Sequence, residues 1–203
     1  MKKTIFLLAV VLFLTSIVRA EGPIKPGDAA TDFTLKSVKG DMISLSDFGD
    51  AKGFIIVFTS NVCPVAKKYE ERVIDLHKEF GLKGYPVVAI NSNDAGVSPG
   101  DSYEEMKKVA SVRGYSFQYL RDDSQNVARL YGATNTPHVY ILSKKDGYLK
   151  VEYVGAIDNN ADDASKADKK YVADAVHALL KGENVPVTAT KAVGCSLKWR
   201  QAK

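Results

Sequence analysis

The chain has 203 residues, 45% of them hydrophobic and 26% charged, with a formal net charge of +4. That length and apolar fraction suit one globular domain with its own core, and exclude disordered, collagen-like and multi-span membrane classes. Lys2, Lys3 and Arg19 supply three of the four net positive charges, so the remainder is nearly neutral and lacks the basic footprint of a nucleic-acid binder.

Residues 1–20 read as a secretory signal peptide. Met1-Lys2-Lys3 opens a charged start, and residues 5–14 form an apolar run of about ten, too short for a bilayer span of roughly 20. Val18-Arg19-Ala20 then places small residues three before and one before a cut after Ala20. An uncleaved anchor is the competing reading, but Thr15, Ser16 and Arg19 interrupt its far flank; no Cys follows the cut to carry a lipid. The expected organisation is a signal peptide at 1–20, one domain at 21–182 and a C-terminal tail at 183–203. The expected destination is the periplasm or the exterior.

Residues 21–28 read as a leader. Phe33 and Leu35 alternate with polar residues and turn through Lys39-Gly40-Asp41 into Ile43 and Leu45, a hairpin pattern. Residues 53–59 form a continuous apolar, β-branched run, as in a strand buried on both faces. Val65, Tyr69, Val73, Leu76 and Phe80 then recur at helical spacing from Pro64 to Gly81, and residues 86–90 give a second buried strand. This strand–helix–strand unit predicts a right-handed parallel crossover. Asn93-Asp94 falls in a loop expected to be solvated. Ser102 and Glu105 match a capping box before a helix with Met106, Val109 and Ala110 on one face. Phe117 and Tyr119 mark a short strand, and Ser124 is placed as the cap of a short helix through Val127 and Leu130. After Thr136-Pro137, residues 139–142 and Leu149, Val151 and Tyr153 form a hairpin about Asp146-Gly147. A polar, solvated loop covers 158–165. Val172, Ala175, Val176, Leu179 and Leu180 mark a last amphipathic helix, and an irregular tail carries Cys195 and the only Trp, Trp199.

Two cysteines are too few for a disulfide scaffold, yet in an exported chain they can pair. The buried strand delivers the chain to Asn61-Val62-Cys63-Pro64, and Pro64 suits the first helical position, where an N–H is not needed. Cys63 therefore stands at a helix N-terminus, where unpaired N–H groups and the dipole favour a thiolate and make it a nucleophile towards disulfides or peroxides. On position alone, a small buried hydrophobe or one half of an inert disulfide remains open.

Residues 29–35, the Ile43-Ser44-Leu45-Ser46-Asp47 turn, Cys63-Pro64, Tyr69-Glu70-Glu71-Arg72, Asn93-Asp94, Thr136-Pro137 and Gly194-Cys195-Ser196-Leu197-Lys198-Trp199 together resemble the thioredoxin-superfamily redoxins, in particular a peroxiredoxin-like (AhpC/TSA-type) group. The resemblance runs from about Ile24 to Arg200. It implies an α/β thioredoxin-like fold, a central mixed β-sheet flanked by helices with an N-terminal β-hairpin extension. It also implies Cys63 as catalytic nucleophile, Cys195 as resolving thiol, a cis Pro137 and a substrate-docking loop at Thr136 and Pro137. Two positions depart from the pattern. Ala66 stands where a disulfide reductase has its second thiol, and Ile56 and Ser60 stand where peroxiredoxins have Pro and Thr. Ser60 is the substitute hydroxyl and, with Pro64, a supporting residue.

Three other outcomes compete. One is a permanent Cys63–Cys195 staple, which by chain entropy stabilises by about 4.7 kcal/mol for a loop on the order of 100 residues. Another is a Cu(I) site of Cys63, Cys195 and His138, as in a copper chaperone. The third is a non-catalytic binding domain. His138 is otherwise read as packing, and His77 and His177 as core or solvated residues. The expected partners are a thiol, disulfide or peroxide substrate and an electron donor left unnamed; no cofactor, no resident metal, no nucleic acid and no membrane span after signal cleavage are expected.

Overall fold

The computed structural model describes residues 23–201, so the signal-peptide expectation for 1–20 lies outside the described residues. The core strand is β4 (Gly53–Phe58), in which all six residues are buried. Its alternation divides the interior in two. Ile55 and Val57 face one cluster with Tyr69, Val73, Phe80, Val172 and Val176, while Phe54, Ile56 and Phe58 face another with Leu45, Val127, Tyr131 and Tyr140. Each such apolar side chain stabilises the fold by about 1.5–3 kcal/mol on burial. Gly53 is required by close approach: a Cβ there would stand 2.1 Å from the Leu142 carbonyl oxygen.

Helix α1 (Pro64–Phe80) connects β4 to β5 (Val87–Asn91), and helix α2 (Tyr103–Arg113) connects β5 to β6 (Gln118–Arg121); the three strands run parallel. The expected helix from Pro64 to Gly81 is present, with Tyr69, Val73, Leu76 and Phe80 all buried. On the other side, β8 (His138–Lys145) pairs antiparallel with β4, and β9 (Tyr148–Gly155) folds back on β8 about Asp146-Gly147. The expected hairpin is β2 (Thr34–Ser37) with β3 (Met42–Ser44), and β2 caps the sheet beside β6. With β1 (Ala29–Ala30) on β9, the eight-stranded order is β1-β9-β8-β4-β5-β6-β2-β3. Helices α3 (Asn126–Tyr131) and α4 (Tyr171–Lys181) complete the layers. Among the described residues, no helix is long and apolar enough to cross a membrane.

Several local expectations are corrected. Ser124 is not the cap of α3: Gln125 holds that position at φ 60° and the Asp122 carboxylate accepts from the Ala128 N–H at 2.9 Å. Tyr131, not Leu130, faces the core. Only half of the Ser102 box forms, its hydroxyl accepting from the Glu105 N–H. The loops read as solvated are so only in part: Asn159, Asp162 and Ser165 are exposed, but Asn93, Asp94 and Asp158 are buried. Asp158 accepts from Tyr69 Oη at 2.9 Å and Arg72 Nη1 at 2.6 Å, which gives the Tyr69 and Arg72 pair of α1 a structural role. The tail, expected to be irregular, contributes a strand, β10 (Cys195–Ser196), paired with β7 (Asn135–Thr136).

Candidate functional site

The first sulfur is positioned where the buried strand β4 hands over to helix α1. Cys63 caps α1 from an extended conformation (φ −66°, ψ 120°), Pro64 occupies the first turn, and the Ala66 N–H points at Cys63 Sγ at 3.5 Å. Cys63 is 3% exposed. Its thiol donates to the Thr136 carbonyl oxygen at 3.1 Å, across a gap of 73 residues in sequence, and the Thr136–Pro137 peptide is cis as expected.

The second sulfur arrives by pairing. After α4 the chain runs beside β9, where Val154 bridges Ala189, and reaches β7 so that Cys195 stands opposite Thr136 and Ser196 opposite Asn135. Cys63, Thr136, Pro137 and Cys195 are thus brought together, with both cysteines free thiols. Burial pulls the Cys63 thiol up, but the Cys195 thiol, the Ala66 N–H and the Cys195 N–H together hold it below the ordinary thiol value. Cys195 is displaced upward, by burial and by the neighbouring Cys63 sulfur. The pair is therefore polarised: Cys63 is the more acidic of the two thiols. The Thr136 hydroxyl is buried and makes no well-formed hydrogen bond.

Ser60 does not spend its hydroxyl proton on Cys63. Ser60 Oγ donates to the Asp101 carboxylate at 3.0 and 2.9 Å, and accepts from the backbone N–H groups of Val62 and Cys63 at 3.2 and 3.1 Å. Asp101, fully buried, also accepts from the Asn61 N–H at 2.7 Å, Asn91 Nδ2 and Asn93 Nδ2 at 2.8 Å, and Ser98 Oγ at 2.7 Å. Such a saturated carboxylate fixes the turn ahead of Cys63. The same network reaches the tail. Asn93 Oδ1 accepts from the Lys198 N–H at 2.7 Å, and the Asp94 N–H donates to the Lys198 carbonyl at 2.8 Å. Gln125, buried in its left-handed backbone conformation, donates to the same carbonyl at 2.9 Å and accepts from the Arg200 N–H at 2.9 Å. Arg200 Nε closes on Asp94 at 2.8 Å. Asp101, Asn93, Gln125 and Arg200 were not singled out as site residues by sequence; the Asn93-Asp94 and tail motifs were visible, but not that they bind each other.

His138 packs, as expected: its ring lies 4.8 Å from that of Tyr140, Nδ1 accepts from the Thr134 N–H at 3.4 Å, and burial pushes its pKa down to about 4. Among the described residues, no group of three or more His, Cys, Asp or Glu side chains is arranged to hold a metal ion.

The fold is the expected thioredoxin-like one. A solved structure of an uncharacterized conserved protein from Geobacillus kaustophilus superposes with a TM-score of 0.81 at 36% identity, covering 91% of this chain and 97% of that one. The thiol-disulfide oxidoreductase ResA of Bacillus subtilis (strain 168) is 25% identical over 128 residues, which are 63% of this chain and 67% of ResA. A putative chloroplastic peroxiredoxin Q of Oryza sativa subsp. indica is 27% identical over 130 residues, 61% of this chain; the match spans only 56% of the plant protein. The AhpC/TSA family model matches residues 26–151. Since that span runs from ahead of β1 into β9, and so takes in both Cys63 and Pro137, this chain belongs to the AhpC/TSA family of peroxiredoxin-like redoxins.

Proposed function

We propose that the protein is an exported thiol oxidoreductase, working in the periplasm or outside the cell, in which Cys63 attacks the oxidised substrate and Cys195 resolves the product. The observation that carries this reading is the register of β10 on β7, which lays a remote cysteine beside the helix-capping one with opposite displacements of their pKa values. In the forward direction the Cys63 thiolate attacks one sulfur of a disulfide, or one oxygen of a hydroperoxide. The S–S or O–O bond breaks, and the leaving thiolate or alkoxide takes a proton from water. Cys195, losing its proton, then attacks Cys63 sulfur and expels the second thiolate, or hydroxide from the sulfenic acid, leaving a Cys63–Cys195 disulfide.

The return step follows from the same asymmetry. A donor thiol that attacks the Cys195 sulfur expels the Cys63 thiolate, the better leaving group because its pKa is the lower. Thr136 and Pro137 form the docking side, Ser60 fixes the Cys63 turn through its backbone, and Pro64 opens the helix whose N–H groups face the sulfur. Export rests on the pattern of residues 1–20, and a disulfide cycle suits an oxidising compartment.

The test is a redox titration of the protein from Glu21 onward, with the pair followed by alkylation and mass spectrometry. A bond that opens between about −120 and −270 mV supports the cycle, and one that resists below about −300 mV makes the pair a staple. In parallel, Cys63→Ser abolishes consumption of both hydrogen peroxide and a small disulfide. Cys195→Ser keeps one stoichiometric reaction at Cys63 and loses turnover; whichever oxidant is consumed identifies the chemistry.

A further inference from the structure

The strand edge that faces Cys63 is already filled by the protein itself. β10 pairs with β7, the Leu197 N–H donates to the Thr134 carbonyl at 3.0 Å, and Asn135 Nδ2 donates to the Gly194 carbonyl at 3.1 Å. Gly194 passes so close to this edge that a Cβ on it would stand 2.1 Å from the Thr136 carbonyl oxygen. An extended peptide entering here needs the same backbone groups, and none of the bonds that hold the tail depends on a disulfide. They run from Lys198 to Asn93, Asp94 and Gln125, and from Arg200 to Asp94 and Gln125.

A neighbouring cavity is free of the tail. A cavity of about 380 Å³ between α1, α2 and the sheet includes Ser60, Asn61, Ala66, Tyr69, Tyr119 and Pro137 in its lining, and no tail residue contributes to it. Ala66 and Pro137 bring this cavity next to Cys63, which does not itself line it: the Ala66 N–H faces the sulfur, and Pro137 follows the carbonyl that accepts from it.

Resting on the reading of Cys63 as nucleophile, we propose that the tail is a resident strand that sets specificity. It reserves the β7 edge, so that Cys63 takes compact oxidants carrying no backbone to pair and excludes extended peptide disulfides. In either case the Cys63 thiolate attacks one sulfur of the substrate; the substrate S–S bond breaks as the new one forms, and the departing thiolate leaves with the electron pair and takes a proton from water.

The test follows that single step in a Cys195→Ser background, by mass spectrometry of the Cys63 adduct. Two oxidants with the same leaving group are compared: bis(2-hydroxyethyl) disulfide, and a linear peptide of about eight residues whose one cysteine is capped by 2-mercaptoethanol. With the tail docked, the small disulfide reacts at least about 100-fold faster than the peptide. Adding Gly194→Val, which drives a side chain into the Thr136 backbone, speeds the peptide at least about tenfold and leaves the small disulfide within about twofold. Lys198→Pro, which deletes the N–H given to Asn93, repeats the effect without a new group at Thr136. Equal rates for the two oxidants with the tail docked, or a ratio unmoved by both tail variants in folded protein, overturns the proposal. If neither oxidant modifies Cys63 in any variant, the nucleophile reading itself is what has failed.

Discussion

Cys63 and Cys195 reach the same point by two different kinds of construction. Cys63 ends a fully buried strand and begins a helix whose apolar side packs into the main core, so its position is fixed by nonpolar contacts of the whole domain. Cys195 lies on a two-residue strand, held by hydrogen bonds to the loops at Asn93, Gln125 and Thr134, by two salt bridges from Arg200, to Asp94 and to Asp123, and by the one buried apolar side chain beside it, Leu197. Local opening has the lower free energy where backbone bonds are exposed and apolar burial is slight. The nucleophile therefore opens with the fold, and its partner, whose apolar anchors are only Leu197 and Trp199, is the more separable part. A cycling pair needs one sulfur that stays and one that can move aside for a donor, and the molecule divides its interactions in that way.

Substitutions can separate the two constructions. The largest effect is expected at Asp101, which serves both: Asp101→Ala leaves the donors on Ser60, Asn61, Asn91, Asn93 and Ser98 without their buried acceptor, and urea unfolding should show a loss of about 3 kcal/mol or more. Gly53→Ala disturbs only the core side. Its new methyl meets the Leu142 carbonyl and the Tyr85 ring, costing about 1–3 kcal/mol of global stability with Cys195 alkylation in the native state unchanged.

His138 gives a pH-dependent effect. Its folded pKa of about 4 lies below the ordinary histidine value of about 6.5, so between these the unfolded chain binds a proton that the folded one refuses. Stability thus rises with pH across that window, by up to about 1.4 kcal/mol per pH unit from this group, and His138→Gln should flatten the slope in denaturant titrations. Arg200→Ala belongs to the tail side alone. Its unfolding midpoint should match the parent's, while iodoacetamide labels Cys195 a few-fold faster; a change in midpoint with no change in labelling would reverse the assignment.

Legibility from sequence divides along nearly the same line. The β4 strand, the α1 period, the Cys63-Pro64 helix start and the hairpin about Asp146-Gly147 were readable because each depends on neighbours within a few residues or on one apolar repeat. β10 was not: two residues carry no period, and their partner lies 59 positions away. The Asn- and Asp-rich loops look like solvated turns to any local reading. Asn93 is buried because Lys198 comes back to it, and Asp158 because Arg72 and Tyr69 of α1 do. The role of Ser60 misled for a related reason: its hydroxyl was available to the sulfur until Asp101, 41 residues on, claimed it.

The side chain next to Lys198 has a practical consequence. Trp199 is the chain's only tryptophan, it packs on the cluster below α3, and the Arg129 guanidinium lies over its ring at 4.5 Å. Every other aromatic side chain of the protein is a tyrosine or phenylalanine. Excited at the red edge of the indole band, the molecule emits from the tail and from nowhere else, and its fluorescence reports in real time, without a label, whether the Cys195 segment is seated or free.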